Sequence, residues 1–483
     1  MSDGSLQKHD DDQERIRLLE FQLDYLRAEM LHLTNERYRL IYSVSGHIYR
    51  FLRPIESRLA DMLAVITFSL RLRKDNAPTQ TDQAQPLPGS MTNASVATTL
   101  PARRLLIDVT GTVQRDAGTG IQRVVKEIVR AFYADDLSDL PAVAVRCENG
   151  RLLAANAFVA SLSGEAATSM EADPEIELAP GDRFLMLSDS WNAFEILAPV
   201  IADIRAKGGE IVSCIFDLIP ELHPWVCHEA TVPRYRAWLR RGLIESDGFI
   251  AISQTVADEL ADYVEQHRLP HRQGLKIGWF HCGADLHAPA TRAARPKIAA
   301  AVAGDAPVFL IVGTIEPRKG HRVALAAFER LWADGVAARL VVVGRRGWFE
   351  EAIVAAIGGH AENGAQLFWF DDVDDPELSF LYDHAAALVF PSYAEGFGLP
   401  IVEAARRGLP TICSDIPVFR EVGRTGAIYF AVNDPDALAE TLRGFLAGSV
   451  TAAPEDVPDV SWAAAATRIV DVLTREDWLL RLS

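Results

Sequence analysis

Glu395 and Glu403 stand eight residues apart around the bend Gly396-Phe397-Gly398-Leu399. The apolar run Ala387 to Pro391 just before them is bounded by turn residues and predicts a buried parallel strand. Pro400 suits the first turn of a helix that Gly408 then stops. Two glycines in the bend would let backbone N–H groups approach a ligand closely, and the helix start adds roughly half a positive charge. A diphosphate is the natural occupant of such a place. Glu403, in the first helical turn, is electrostatically favoured there and could accept hydrogen bonds from two neighbouring ribose hydroxyls. Glu395 is left at the strand's carboxyl end, facing the crevice. Taken singly, each glutamate would read as a dipole partner or a solvated loop residue; together with the strand and both glycines they suit a nucleotide-sugar site.

A second segment points to the same chemistry. Val308 to Gly313 predicts a strand, TIEPRKGH follows, and apolar residues recur at helical spacing from Arg322 to Trp332. Arg318 and Lys319 therefore fall at the carboxyl end of a strand, where open α/β sheets bind ligands. Cations in that position can neutralise a diphosphate leaving group as its bond to the sugar breaks.

These two segments resemble the retaining glycosyltransferases of family 4, whose signature is a Glu, seven residues and a second Glu in the setting EGFGLPxxEA, here Glu395 to Ala404. The resemblance implies that Glu395 contacts the donor sugar, that Glu403 holds the ribose of the nucleotide, and that Gly396, Phe397, Gly398 and Leu399 face the sugar and diphosphate. Lys319 matches the family's lysine. Many members carry a further Arg just after the strand glycine, where this chain has Thr314. The clamp would then rest on Arg318 and Lys319, with Thr314 supplying a hydroxyl. Retention of configuration would be consistent with front-face attack, the leaving phosphate accepting the acceptor's proton, so no protein general base is expected; the fixed cations and the helix dipole would take the role of a divalent ion, and no cofactor or metal is expected.

The amino-terminal half supplies the other wall. Leu105 to Val109 predicts a buried strand, the loop DVTGTVQRDAGTG follows, and Ile121 to Phe132 has helical spacing. In the family this first glycine loop, here Gly118, Thr119, Gly120 and Ile121, lies across the cleft from the diphosphate and near the acceptor. Arg123, one turn into the helix, could reach the cleft or solvate its own face. Glu210 to Phe216 predicts a strand ending at Asp217, and Phe216 to Pro220 looks like the family's Asp-Leu-x-Pro loop. Asp217 could orient the acceptor or steady positive charge at the reacting carbon. His223 reads as a cleft residue or as an ordinary satisfied histidine, and Ser253 as a helix cap.

At 483 residues and 49% hydrophobic, the chain is long enough for more than one core. Alternating strands and helices predict an α/β architecture with parallel sheets. The resemblance makes these the paired Rossmann-like domains of the GT-B fold, an acceptor domain over 102–290 and a nucleotide-sugar domain over 300–450, followed by a helical segment 451–483 whose helix, from Trp462, crosses back to the first domain. The net charge of −18 excludes nonspecific nucleic-acid binding. Five cysteines without CxxC spacing read as buried free thiols. No signal peptide is read at the acidic amino terminus, and no apolar run reaches the roughly 18 residues of a membrane helix. The expected location is cytoplasmic, at most peripheral to the inner face of the plasma membrane.

Residues 14–53 predict a coiled-coil helix, with Ile16, Leu23, Met30 and Val44 at one heptad position and Leu19, Leu26, Leu33 and Leu40 at the other. That seam wants a partner, parallel pairing with a second copy of this chain being preferred over packing on another protein or folding back on this chain. Residues 54–74 form a second amphipathic pattern ending in Arg71, Arg73 and Lys74; it reads as a continued oligomer helix or as a stretch lying on an anionic membrane surface. Residues 75–101 have the composition of a flexible linker.

The expectation is a retaining hexosyltransferase using a nucleoside diphosphate sugar, GDP-mannose first and UDP-glucose or dTDP-rhamnose next. The acceptor would be a glycan or lipid-linked glycan of a bacterial surface polysaccharide. Two other readings stand beside it: a nucleotide-sugar epimerase on the same fold, and a coiled-coil scaffold with a vestigial site.

Overall fold

A computed structural model describes residues 104–116, 118–134, 140–162, 173–285, 293–348 and 351–483. The coiled-coil, amphipathic and linker segments expected over 14–101 lie outside these residues. Two parallel sheets organise the rest. Seven strands come from the amino-terminal half: β1 (Leu105–Asp108), β2 (Ala142–Glu148), β3 (Arg151–Ala154), β4 (Arg183–Met186), β5 (Glu210–Ile215), β6 (Gly248–Ala251) and β7 (Lys276–Trp279). Six form the second sheet: β8 (Val308–Val312), β9 (Arg339–Val343), β10 (Leu367–Phe370), β11 (Ala387–Phe390), β12 (Thr411–Ser414) and β13 (Ile428–Phe430). A last strand, β14 (Leu480–Arg481), returns to the first sheet.

The central strands are short apolar runs buried on both faces, as helix-covered parallel strands must be. β1, β4, β6, β11 and β12 are buried at every residue. The first sheet has the order β14-β7-β6-β5-β4-β1-β2-β3, antiparallel only at its two edges, and the second the order β10-β9-β8-β11-β12-β13, parallel throughout. Strand order reverses between β4 and β1 in the first sheet and between β8 and β11 in the second. Ligands in doubly wound sheets bind outside the carboxyl ends of strands at such reversals. Those ends carry Asp108 and the glycine loop in one lobe, and Arg318, Lys319 and Glu395 in the other.

The helix expected from Trp462 runs to Thr474, begins at a cap in which Ser461 accepts from Ala464 N, and packs on the helix Gly120–Ala134 of the first lobe. The chain does not end in helix. β14 pairs antiparallel with β7, Leu480 opposite Ile277, and the Trp478 ring fills the space above Gly248, where any Cβ would lie 2.6 Å from it. A short helix, Thr110–Gln114, also interrupts the loop expected after β1. All five cysteines are free and buried. Among the described residues no helix is long and apolar enough to cross a membrane.

Candidate active site

The chain leaves β8 through Gly313, whose φ of +148° excludes most side chains. The Lys319 stem packs within 3.5 Å of where a Cβ would stand on that glycine. Pro317–Lys319 form one tight turn, and Gly320 at φ +70° follows with the Pro391 carbonyl 2.2 Å from any added Cβ. The loops after β8 and β11 are therefore pressed together, and Tyr393 N donates to Arg318 O at 3.0 Å.

This contact delivers both predicted cations to Glu395. Arg318 Nη1 lies 2.5 Å from Glu395 Oε2 and also donates to the Ala394 carbonyl at 3.0 Å. Lys319 Nζ donates to Glu395 Oε1 at 2.6 Å. Arg318 Nη2 meets Glu316 at 2.8 Å. Burial alone would push the Glu395 carboxyl up, but the charges of Arg318 and Lys319 outweigh it and hold it at about 2. Burial and the neighbouring Arg318 push Lys319 below the usual lysine range. Glu395 is thus a buried, doubly paired anion rather than an open crevice residue, its side chain only 9% exposed. Just beyond the clamp, burial pushes the His321 imidazole down to about 3, so it is neutral near pH 7.

The first lobe closes over this cluster. Asp217 follows β5, accepts from Ile219 N at 2.9 Å and is pushed up by burial, against which the Arg318 charge works. The Tyr235 hydroxyl holds the Asp217 carbonyl at 2.5 Å. The Phe216 carbonyl oxygen lies 1.8 Å from where a Cβ on Gly396 would sit. In this structure the missing side chain of Gly396 makes room for the opposite lobe, whereas the sequence reading assigned that room to a ligand. Gly398 answers to backbone conformation, φ +110°, with Phe419 and Ile401 packed where its Cβ would go. Phe419 in turn stacks on Phe390 of β11, ring centroids 4.8 Å apart. Phe397 is buried, its ring 5.4 Å from that of His281. His223 sits edge-on to Trp225 and to Tyr393 of the second lobe.

Glu403 lies one turn into the helix Leu399–Arg406, where the sequence put it, and it is buried at 2% exposure. Its Oε2 accepts from the Tyr382 hydroxyl at 2.8 Å, and its Oε1 stands 2.5 Å from Arg123 Nη1 of the first lobe. Of the two readings of Arg123, the structure takes the one facing the cleft. The glycine loop prepares it. Gly118 at φ +64° donates to Asp116 at 3.0 Å, Thr119 N donates to Gln122 Oε1 at 3.1 Å, and Thr119 O receives Arg123 N at 3.0 Å. Gly120 opens the helix with Leu399 of the Gly396-to-Leu399 bend 3.9 Å from any Cβ it would carry, and Ile121 packs against the core. Thr314 is half-buried beside Gly347, its methyl 3.0 Å from where a Cβ there would sit.

Several groups escape sequence reasoning. Tyr382 and Glu316 bind the site's charges, but tertiary packing alone brings Tyr382 to Glu403. Glu421 of the second lobe caps the helix Gln254–His267 of the first, accepting from Gln254 N at 2.8 Å and Thr255 N at 2.7 Å, and meets His281 Nε2 at 2.6 Å. Asp108, fully buried at the end of β1, accepts from Thr110 N at 3.0 Å and from the Ser188 hydroxyl at 3.2 Å, and burial pushes it up to about 6. An acid closing an apolar strand, as at Asp217, was the available signal.

Comparison with known proteins places this geometry. The chain is 33% identical over 352 residues to a serotype-specific mannosyltransferase WbdA of Escherichia coli, an alignment covering 71% of this chain and 41% of that protein. It thus spans less than half the length of that relative. The O-antigen chain mannosyltransferase B of Escherichia coli is 35% identical over 134 residues, 27% of this chain and 34% of that protein. Among solved structures, a glycosyltransferase from Rickettsia africae ESF-5 superposes with a TM-score of 0.52 at 14% identity, covering 78% of this chain and 98% of that one. Anabaena Alr3699/HepE in complex with UDP-glucose gives 0.50 at 14% identity, covering 76% and 94%. Residues 296–455 match the family model described as Glycosyl transferases group 1, and the two-lobed architecture has the GT-B fold of these solved structures.

Proposed function

We propose that the protein is a retaining glycosyltransferase that moves a hexose, mannose first, from a nucleoside diphosphate sugar to a glycan or lipid-linked acceptor in bacterial surface polysaccharide synthesis. The observation that carries this reading is the largely buried cluster of Arg318, Lys319 and Glu395 at the strand-order reversal of the second sheet. Two fixed cations in a dry setting stabilise a departing diphosphate with little reorganisation. Glu395, tied to both, is positioned to orient the sugar they release. Asp217 approaches from the acceptor lobe within reach of the Arg318 field. Likeness to mannosyltransferases named for O-antigen chains supports the polysaccharide assignment and the choice of mannose.

In this reading the acceptor hydroxyl attacks from the face the diphosphate leaves, and its proton passes to the leaving phosphate oxygen. The Gly396 to Leu399 bend and the helix start beside it supply further positive potential. Calorimetric titration of GDP-mannose, UDP-glucose and dTDP-rhamnose, without added metal, into wild type and Glu403→Ala tests the reading. One donor bound at micromolar strength, weakened roughly 5- to 150-fold by the substitution, supports it. No heat from any donor with either protein removes its basis.

A further inference from the structure

Arg123 comes from the glycine-loop helix of one lobe and Glu403 from the donor-bend helix of the other. The side chains are 29% and 2% exposed, and the charged atoms are 2.5 Å apart. Glu403 Oε1 accepts no aligned hydrogen bond, and its contact is with the charge of the Arg123 guanidinium. A carboxylate offers about four acceptor positions, and the Tyr382 hydroxyl takes one of them on Oε2. The carboxylate therefore keeps directed acceptor capacity inside a closed site. A buried carboxylate stripped of its cation is costly, more so than the pair it came from. Burial disfavours the Arg123 charge, yet the Glu403 charge beside it prevails and keeps the guanidinium firmly protonated.

We propose that Arg123 is a positioning residue of the donor site: it supplies, from the opposite lobe, the counter-charge that holds the Glu403 carboxylate in place while the lobes are closed over a nucleoside diphosphate sugar. The inference rests on the function proposed above. It makes the helix after the glycine loop part of donor recognition, although Arg123 leads no phosphate-binding motif. Donor affinity then depends on closure, because Glu403 acquires its counter-charge only when the two helices meet. A placeholder role, in which the ribose displaces Arg123, predicts the reverse.

The two roles predict opposite signs. The donor that wild type binds from the nucleotide-sugar panel is titrated into Arg123→Met, Arg123→Lys, Glu403→Gln and the Met/Gln double variant, each checked for a native melting transition. A positioning role predicts that Arg123→Met weakens the donor about tenfold or more, that Arg123→Lys recovers part of the loss, and that the double variant binds no more weakly than Glu403→Gln alone, the charge to be balanced having gone. A purely structural role would shift the melting transition without this non-additivity. Unchanged or tighter binding by Arg123→Met overturns the inference and leaves the proposed function standing. A wild type that binds no nucleotide sugar overturns both.

Discussion

Ser253 Oγ donates a 2.7 Å hydrogen bond to the carbonyl of Gly396, across 143 residues of sequence. The same oxygen accepts from Val256 N at 3.2 Å and so caps the helix Gln254–His267. One hydroxyl thus fixes a helix start in the first lobe and the donor bend in the second. Beside it, the Phe216 carbonyl occupies the space a side chain on Gly396 would need. The bend is held by the opposite lobe as much as by its own helix.

Gly396→Ala should therefore act on closure. A methyl 1.8 Å from the Phe216 oxygen forces the lobes apart there, because backbone meets backbone and no side chain can yield. Misplacement of reacting groups by about 1 Å can cost on the order of 100-fold in rate. Turnover of Gly396→Ala is expected to fall by at least that factor with an unchanged far-ultraviolet circular dichroism spectrum. Wild-type turnover would show that closure tolerates the methyl.

The strands bearing the site were legible because fully buried parallel strands leave short apolar runs, as in Val308–Val312 and Ala387–Phe390. Arg318, Lys319 and Glu395 were legible because each follows such a run closely. The pairing of Arg123 with Glu403 was not: helical spacing puts Arg123 on a face and says nothing of what that face meets. Tyr382 lies in a helix with no local sign of its partner. β14 was hidden for a related reason, since two paired residues create no alternation, and its place depends on Trp478 finding Gly248.

Removing one cation of the clamp should impair transfer more than folding. Lys319→Ala leaves Glu395 paired to Arg318, and a lost charge-stabilising donor typically costs about 10²- to 10³-fold in kcat. The pH dependence follows from Glu395, held at about 2 against an ordinary value of 4.5. A depressed carboxyl contributes its stabilisation fully above the ordinary value and loses it only as pH falls through the depressed one. The kcat/KM profile should carry no acid limb from Glu395 between pH 8 and about pH 5. A wild-type limb in that range that Lys319→Ala moves upward would belong to Glu395 and would contradict its depressed value.

Glu421 makes lobe association acid-sensitive. Burial would raise its carboxyl, but His281, Thr255 and the helix-start amides outweigh that and lower it below 4.5. Its stabilisation is present above 4.5 and is lost as pH falls below that value. Small-angle scattering should show the radius of gyration of the wild type rising below about pH 4.5. Glu421→Gln, lacking the charge, is expected to be more open already at pH 7 and to change less on acidification. Identical scattering of both proteins at every pH would remove Glu421 from the clasp.

Asp108 has the opposite sign. Burial at the end of β1 raises its carboxyl from 3.8 to about 6, and the bonds from Thr110 and Ser188 only partly offset the cost. A folded-state value above the unfolded one means that the folded chain binds the proton more tightly. The stability gained is complete below about pH 4 and is lost as pH rises through about 6. A gap of roughly two pKa units at about 1.4 kcal/mol each makes the loss on the order of 3 kcal/mol by pH 8. Asn at this position keeps Oδ1 as the acceptor for Thr110 N, places an amide donor beside the Ser188 hydroxyl oxygen, and carries no charge. Asp108→Asn should therefore resist urea better than wild type at pH 8 and by a clearly smaller margin at pH 4.5. The difference in midpoint between the two pH values isolates the ionisation from any packing change common to both. A variant weaker than wild type by the same margin at both pH values would mean that the charge is fully compensated where it lies, with Asp108 serving only as a hydrogen-bond hub beneath the glycine-loop lobe.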